Sequence, residues 1–320
     1  MSGVLSRDAR SRRTFLAISR GRYWARPGAV GKDGYHPADD CTTFDADKAM
    51  GTMQMRIAWI GLGSMGKPMA LAALRAGHTL IGYARRPEEH GDIRAAGGII
   101  TDVLADALAG AEIVCANLYS EDQLREVLFE RGALSMIPAG ALLILHSTVS
   151  PDFVREVAAS RGDISVIDAG FSGGAEDASR KALTLMVGGE AADFERACPV
   201  LETYAGHITH LGPLGAGMTL KVINNLAFAA HMAIAQDVLR LCTTNGLALD
   251  KAIAALSRGS AGSTALGYLK SSPDPQSVFS AIRHYLDKDV DIARAGSRHM
   301  DLGVLDGATR GFGEHANTQT

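Results

Sequence analysis

Met55-Arg-Ile-Ala-Trp-Ile60, Gly61-Leu-Gly63-Ser-Met-Gly66 and Lys67-Pro-Met-Ala-Leu-Ala-Ala-Leu-Arg-Ala76 adjoin without a gap, and their order decides the fold. The first is a short apolar run of β-forming residues. The third is a run of strong helix formers with Pro68 in its first turn, where proline is tolerated. Gly77 stands where a helix C-terminal cap is expected, and Thr79 to Tyr83 reads as a second strand, completing a βαβ unit. Each glycine of the turn has a task. Gly61 lets the chain leave the strand sharply, Gly63 leaves the backbone bare for a pyrophosphate, and Gly66 lets helix and strand pack closely. Leu62, Ser64 and Met65 complete the turn, and the helix N-terminus adds N–H groups free to meet phosphate. The bland alternative is a chance glycine turn; the flanking strand and helix argue against it.

The end of the second strand bears on which dinucleotide fits. A site for NAD usually offers an acid there to the ribose 2′-hydroxyl. Here the chain reads Tyr83-Ala84-Arg85-Arg86-Pro87, with no acid before Glu88. Arg85, with Arg86 beside it, suits a 2′-phosphate, whose charge a guanidinium meets with a forked pair of bonds. NADP is therefore the expected cofactor, with NAD as the alternative, unless this stretch is only a solvated surface loop.

Further strands are expected at Glu112–Leu118, Leu142–His146, Ser165–Asp168 and Leu183–Gly188, with helices at Ser120–Arg131 and Pro151–Ser160. The alternation implies an α/β fold, a doubly wound parallel sheet of the Rossmann kind, with ligands at the carboxyl ends of its strands. Three polar loops fall there: Asn117 to Ser120, His146 to Thr148, and Ala169 to Gly174. Asn117, Leu118, Ser147 and Thr148 are the cofactor-binding candidates among them. From Gly215 a long helical stretch runs to about Asn245, and no strand is expected after it. The chain therefore divides into an extension over 1–54, a dinucleotide-binding domain over 55–212 and an all-helical domain over 213–320.

Composition agrees with this. A chain of 320 residues with 47% hydrophobic and 21% charged side chains suits two globular domains, and a net charge of -3 gives no reason to expect nucleic acid or an anionic membrane as partner. The four cysteines are widely spaced and none of the ten histidines has ligand spacing, so no metal and no disulfide framework is expected. No apolar run reads as long enough to cross a bilayer. The implied setting is cytoplasmic. Residues 1–54 differ in kind: seven arginines precede Lys32, five aspartates follow it, and neither stretch has a helical or strand period. Ser11-Arg-Arg-Thr-Phe-Leu16 looks like a twin-arginine export motif, but Arg20, Arg22 and Arg26 interrupt the apolar stretch it requires. An organelle-targeting peptide, or translation beginning at Met53 or Met55, are the other readings.

Four motifs taken together resemble the β-hydroxyacid dehydrogenases, the family of 3-hydroxyisobutyrate dehydrogenase and tartronate semialdehyde reductase. They are Gly61 to Ala70, Asp168-Ala-Gly-Phe-Ser-Gly-Gly174, Gly215-Ala-Gly-Met-Thr-Leu-Lys221-Val-Ile-Asn-Asn225, and Lys288-Asp289. They occur in the family's order over about residues 55 to 300, and His146-Ser-Thr-Val-Ser-Pro151 is a weaker fifth. The resemblance implies hydride transfer between NADP and the CH–OH group of a small 3-hydroxy acid, or reduction of the matching semialdehyde, by a homodimer or homotetramer. It implies Lys221 as general acid/base, Asn225 at the substrate, Ser172, Gly173 and Gly174 as the substrate-carboxylate loop, and Lys288 beside the cofactor.

The residue chemistry fits those roles. Lys221 and Asn225 are four apart, hence on one helix face, in an otherwise apolar stretch. A lysine in an apolar cleft loses its proton more readily and can take one from an alcohol while hydride leaves the carbinol carbon. Ser172 to Gly174 can offer N–H groups and a hydroxyl to an anion. Read blandly, these are a polar helix face, a glycine turn and, at Lys288, a solvated lysine. Two departures from the family stand out. Gly170-Phe171 replaces the usual Pro-Val and sets a ring beside the carboxylate loop, and the tail after Lys288 is short, so that missing or altered final helices are expected. The competing readings are an imine reductase, which usually lacks a lysine at the position of Lys221, a 6-phosphogluconate dehydrogenase, for which the chain is too short, and an NADP-binding protein without turnover.

Overall fold

The computed structural model describes residues 54–270 and 274–314; the expectations for residues 1–53 lie outside the described residues. Strands β1 (Arg56–Ile60), β2 (Thr79–Tyr83), β3 (Ile99–Thr101), β4 (Ile113–Ala116), β5 (Leu142–Leu145), β6 (Ser165–Ser172), β7 (Leu183–Gly188) and β8 (Ala205–His210) form one sheet in the order β3-β2-β1-β4-β5-β6-β7-β8. The first six are parallel, and the winding reverses between β1 and β4. The strands between the edges are buried on both faces, as β4 and β5 show with every residue inaccessible.

The sheet departs from the sequence expectation in three places. It is not wholly parallel: β7 pairs antiparallel with β6, Asp168 facing Gly188 and Ser172 facing Thr184. The link from Gly173 to Ala182 is shorter than the dozen or more residues that a parallel crossover takes. The stretch Ala169 to Ser172, expected as loop, is the second half of β6 and gains its pairing from β7. Finally, β3 and β8 went unread. β3 has three residues, and β8, Ala-Gly-His-Ile-Thr-His, is an edge strand.

Helices cover both faces. Helix α1 (Gly66–Arg75), α2 (Gly91–Ala95), α7 (Ala175–Ser179) and α8 (Ala191–Leu201) share one core with Trp59, Cys115 and Ile167. Helix α3 (Leu104–Leu108), α4 (Glu121–Arg125), α5 (Ala133–Met136) and α6 (Pro151–Ser160) share the other with Ile60, Val114 and Leu143. Ser120 and Ser150 cap α4 and α6 with their hydroxyls. The helix expected over Ser120–Arg131 ends early as α4 and continues as a π-helical turn, Glu126–Glu130.

Beyond the sheet, α9 (Ala216–Thr244) is the spine around which α10 (Leu249–Leu256), α11 (Thr264–Lys270), α12 (Pro275–Gly296) and α13 (Val304–Glu314) pack. Contrary to the sequence reading, α9 is long and apolar enough to span a bilayer. Its apolar residues Val222, Leu226, Ala229, Met232 and Leu239 are instead the core of the helical layer. In the tail after Lys288, α13 lies along α9. Cys115 and Cys242 are buried free thiols, whereas Cys198 is disulfide-bonded.

One contact roots α9 in the sheet. The carboxylate of Asp168 on β6, fully buried, accepts the N–H of Gly215 at 2.7 Å and that of Met218 at 2.6 Å. It thereby caps the helix from a neighbouring strand, and its negative charge meets the positive end of the helix dipole. Burial pushes its carboxyl above the ordinary range against the pull of these N–H groups. Met218 is packed into the sheet core in the same turn. Replacing Asp168 by alanine is expected to lower the unfolding free energy by about 2–4 kcal/mol, because two buried N–H groups lose their acceptor. Urea titration measures this, and Asp168→Asn should lose roughly half as much.

Candidate active site

At the carboxyl end of β1 the glycine turn has the predicted shape. Gly61 takes φ +95, and a Cβ there would lie 2.2 Å from the carbonyl oxygen of Asn117. A Cβ on Gly66 would lie 1.9 Å from the carbonyl oxygen of Gly61 and 3.0 Å from Trp59 Nε1. Both glycines are therefore required by the protein itself. Gly63 is different: its φ is not positive, and a Cβ would meet nothing within 4 Å. The N–H groups of Gly63, Ser64 and Met65 donate to no backbone carbonyl among the described residues. A bare backbone with free donors at a helix N-terminus fits the pyrophosphate of a dinucleotide.

The neighbouring loops converge on this turn. Asn117 N–H donates to Ile60 O at 2.8 Å, and Leu118 N–H donates to Ser147 Oγ at 2.7 Å, joining the ends of β1, β4 and β5. Ser147 is buried and Thr148 half-buried beside it. Arg85 and Arg86 are both exposed after β2, but only Arg86 is ion-paired, with Glu89 at 2.5 Å.

The second cluster lies on α9, which packs against both β6 and α12. Lys221 and Asn225, both buried, face the same way, and Lys221 Nζ donates to Asn225 Oδ1 at 3.0 Å. Asn225 Nδ2 donates to Asp289 Oδ2 at 2.6 Å, and Lys288 Nζ donates to Asp289 Oδ1 at 2.5 Å. Asn224 Nδ2 also donates to Asn225 Oδ1, at 3.0 Å. Burial lowers the Lys221 pKa to about 8; the carboxylate of Asp289 opposes that fall and the charge of Lys288 adds to it.

Lys288 links the two clusters. Its ammonium lies 5.4 Å from the centroid of the Tyr119 ring, and the Tyr119 hydroxyl donates to His284 O at 3.0 Å. Asn117–Ser120, the loop at the mouth of the dinucleotide turn, is thus held to the helix that carries Asp289.

The substrate-loop residues are only partly as expected. Ser172 ends β6 and Gly173, at φ +122, leaves it. The N–H of Gly174 is not free: it donates to Asp177 Oδ2 at 2.7 Å at the start of α7. Sequence reasoning also left the parts of two acids unread. Asp168 stood inside a quoted motif without a role, and Asp289 only as part of the Lys288-Asp289 element that the resemblance sets near cofactor and substrate; an acid beside a helix start or beside a lysine was the available signal. Among the described residues no group of His, Cys, Asp and Glu is arranged for a metal.

This geometry defines an NAD(P)-dependent oxidoreductase with a dinucleotide-binding half and a helical half. The NAD-binding domain of 6-phosphogluconate dehydrogenase matches residues 56–212, and the NAD-binding domain of NADP-dependent 3-hydroxyisobutyrate dehydrogenase matches residues 215–310. The chain belongs to the β-hydroxyacid dehydrogenase family. It is 34% identical over 233 residues to an NAD-dependent L-serine dehydrogenase of Pseudomonas aeruginosa, covering 72% of this chain and 78% of that one. It is 31% identical over 265 residues to a 3-hydroxyisobutyrate dehydrogenase of the same organism, covering 79% and 88%. A Mycobacterium tuberculosis 3-hydroxyisobutyrate dehydrogenase solved with L-serine superposes with a TM-score of 0.71 at 27% identity, over 82% of this chain and 94% of that one.

The glycines give a paired test. Gly66→Ala should cost about 2 kcal/mol or more of stability, as a backbone clash has no flexible side chain to absorb it. Gly63→Ala should stay within about 0.5 kcal/mol of the parent in a thermal melt yet bind NADPH at least about tenfold more weakly by fluorescence titration.

Proposed function

We propose that the protein transfers a hydride between NADP and the CH–OH group of a small 3-hydroxy acid, or runs the reverse reduction of the semialdehyde, with Lys221 as general acid/base. The observation that carries this reading is a buried lysine with a pKa lowered to about 8, held by Asn225 at the meeting of the two clusters. Relatives named for 3-hydroxyisobutyrate and for L-serine support the substrate class, since both molecules are three-carbon-backbone acids with the hydroxyl on the third carbon.

In this reading Gly61, Leu62, Gly63, Ser64, Met65 and Gly66 hold the pyrophosphate, Arg85 with Arg86 beside it meets the 2′-phosphate, and Asn117, Leu118, Ser147, Thr148 and Lys288 line the remaining cofactor path. The bound nicotinamide supplies the hydride acceptor. Ser172 and Gly173 take the substrate carboxylate, Gly174 shaping the turn. In oxidation, neutral Lys221 Nζ accepts the hydroxyl proton as hydride leaves the carbinol carbon, and in reduction the ammonium returns it. Asn225 accepts from Lys221 through Oδ1 and is itself oriented by Asp289, so the amine points one way only. Imine reductases share the fold, one from Myxococcus stipitatus with a TM-score of 0.59 at 20% identity, but Lys221 argues for the alcohol chemistry.

Lys221→Ala should lower kcat by about 10²–10⁴-fold with NADP and 3-hydroxyisobutyrate or L-serine. Because the neutral amine is the base, kcat/KM for oxidation should rise with pH through about 8, while reduction falls over the same window. In the same assays Arg85→Ala should raise KM for NADP by about tenfold or more and leave KM for NAD unchanged. Activity confined to cyclic imines would overturn the reading, as would NADPH binding without turnover on any hydroxy acid.

The same reading makes the protein a homodimer or homotetramer. Leu220, Ile223, Ile234 and Leu241 are exposed along one side of α9, at spacings that keep them on one stripe. A second copy offering the same stripe would cover it. Light scattering should report a multiple of the chain mass, and Ile223→Glu with Ile234→Glu should reduce it to one chain.

A further inference from the structure

Strand β6 does more than cap α9. Two residues beyond Asp168, Gly170 lies against the lysine stem: a Cβ there would stand 2.7 Å from Lys221 Cβ and 2.9 Å from Lys221 Cγ. The next residue, Phe171, places its ring centroid 5.6 Å from Lys221 Nζ, inside the range of a cation–π contact. The small residue lets the stem pass, and the ring receives its end.

The ring has its own support. His146 at the end of β5 is fully buried and meets Phe171 edge to face at 6.5 Å. The Ala169 carbonyl oxygen can only accept, so His146 Nδ1 carries the proton and donates to it at 2.8 Å, which leaves Nε2 to accept the hydroxyl of Tyr204, also inaccessible, at 3.0 Å. Ala169 is the residue between Asp168 and Gly170, so this bond pins the part of β6 from which Phe171 projects. Trp59 stacks on His146 at 6.3 Å. Burial lowers the His146 pKa to about 4 and raises that of Tyr204, so the pair stays neutral and keeps one hydrogen-bonding direction.

We propose that Phe171 is a positioning residue that seats the ammonium of Lys221, and that the buried His146–Tyr204 pair fixes the ring in that seat. The proposal rests, for its catalytic meaning, on the reading of Lys221 as the proton-transfer group. The seat favours the charged form, since the ring face attracts an ammonium and ignores a neutral amine. The other groups around Lys221 are the carboxylate of Asp289 and the ammonium of Lys288 on α12, the Asn224 and Asn225 amides on its own helix, Asp168 under the first turn of α9, and His146, neutral behind the ring. Of these, only His146 touches the ring.

The Nζ resonance of Lys221, followed by nuclear magnetic resonance through a pH titration and assigned with Lys221→Arg, reads the seat without requiring turnover. Phe171→Leu should lower the titration midpoint by about half a unit to one unit, because the charged form loses its ring. Phe171→Tyr should leave it unchanged, and Tyr204→Phe should lower it by a smaller amount, since it removes only the bond that fixes His146. In pH–rate profiles the acid limb for oxidation should move down by the same amounts. An unmoved midpoint in Phe171→Leu overturns the proposal. If that variant does not fold, an unmoved midpoint in Tyr204→Phe overturns it. A shifted midpoint in a protein that turns over no hydroxy acid upholds the seat and overturns the functional reading instead.

Discussion

An ammonium group taken out of water is the constraint around which the site is arranged. Lys221 is 9% exposed, and burial alone would favour expelling its proton. A carboxylate bonded directly to Nζ would restore the proton and also occupy the amine. Here the Asn225 amide stands between Lys221 and Asp289, so the negative charge acts at one remove and the amine keeps donors to spare. Lys288 claims the other oxygen of Asp289 and dilutes its pull further. The outcome is an amine whose two protonation states lie close in energy near neutral pH, the condition under which one group can serve as both base and acid.

How legible this was depends on whether the signal was local. The strand–glycine–helix run at 55–76 was readable because backbone requirements are written at single positions: Gly61 and Gly66 admit no side chain at all. Lys221 and Asn225 were readable because helix periodicity fixes their common face. What escaped reading involved partners far apart in the chain. Asp168 looked like the first letter of a loop motif, yet its carboxylate reaches residues more than forty positions later. Gly174 appeared to offer an N–H, and only the structure shows Asp177 taking it. The two unread strands lie at the edges of the sheet, where pairing on one side allows polar and short sequences to pass as loop.

The antiparallel turn from β6 to β7 has an effect on the site as well as on topology. A parallel strand ending at Asp168 would hand its next residues to a loop, with the mobility loops have. Pairing with β7 extends order through Ala169, Gly170, Phe171 and Ser172. Four consecutive positions beyond Asp168 therefore project from a rigid strand, and alternation sends Gly170 and Phe171 to different sides of it. Lys221 touches both, its stem at the glycine and its end over the ring. Fixed geometry on a strand is better suited than a loop to hold reacting groups within fractions of an ångström.

The two matched regions meet between residues 212 and 215, and that seam looks like a natural place to cut and recombine relatives. The bonds across it say otherwise. The acid that terminates α9 belongs to the first region and the N–H groups it satisfies belong to the second, as does Met218, which completes the core of the first. A hybrid joined at the seam would inherit a helix start designed for another strand. The unit of exchange that respects the physics runs from β6 to the end of α9, carrying cap, ring and lysine together. The boundary seen in sequence and the mechanical boundary are displaced from one another here by the stretch from the start of β6 at Ser165 to the seam at 212.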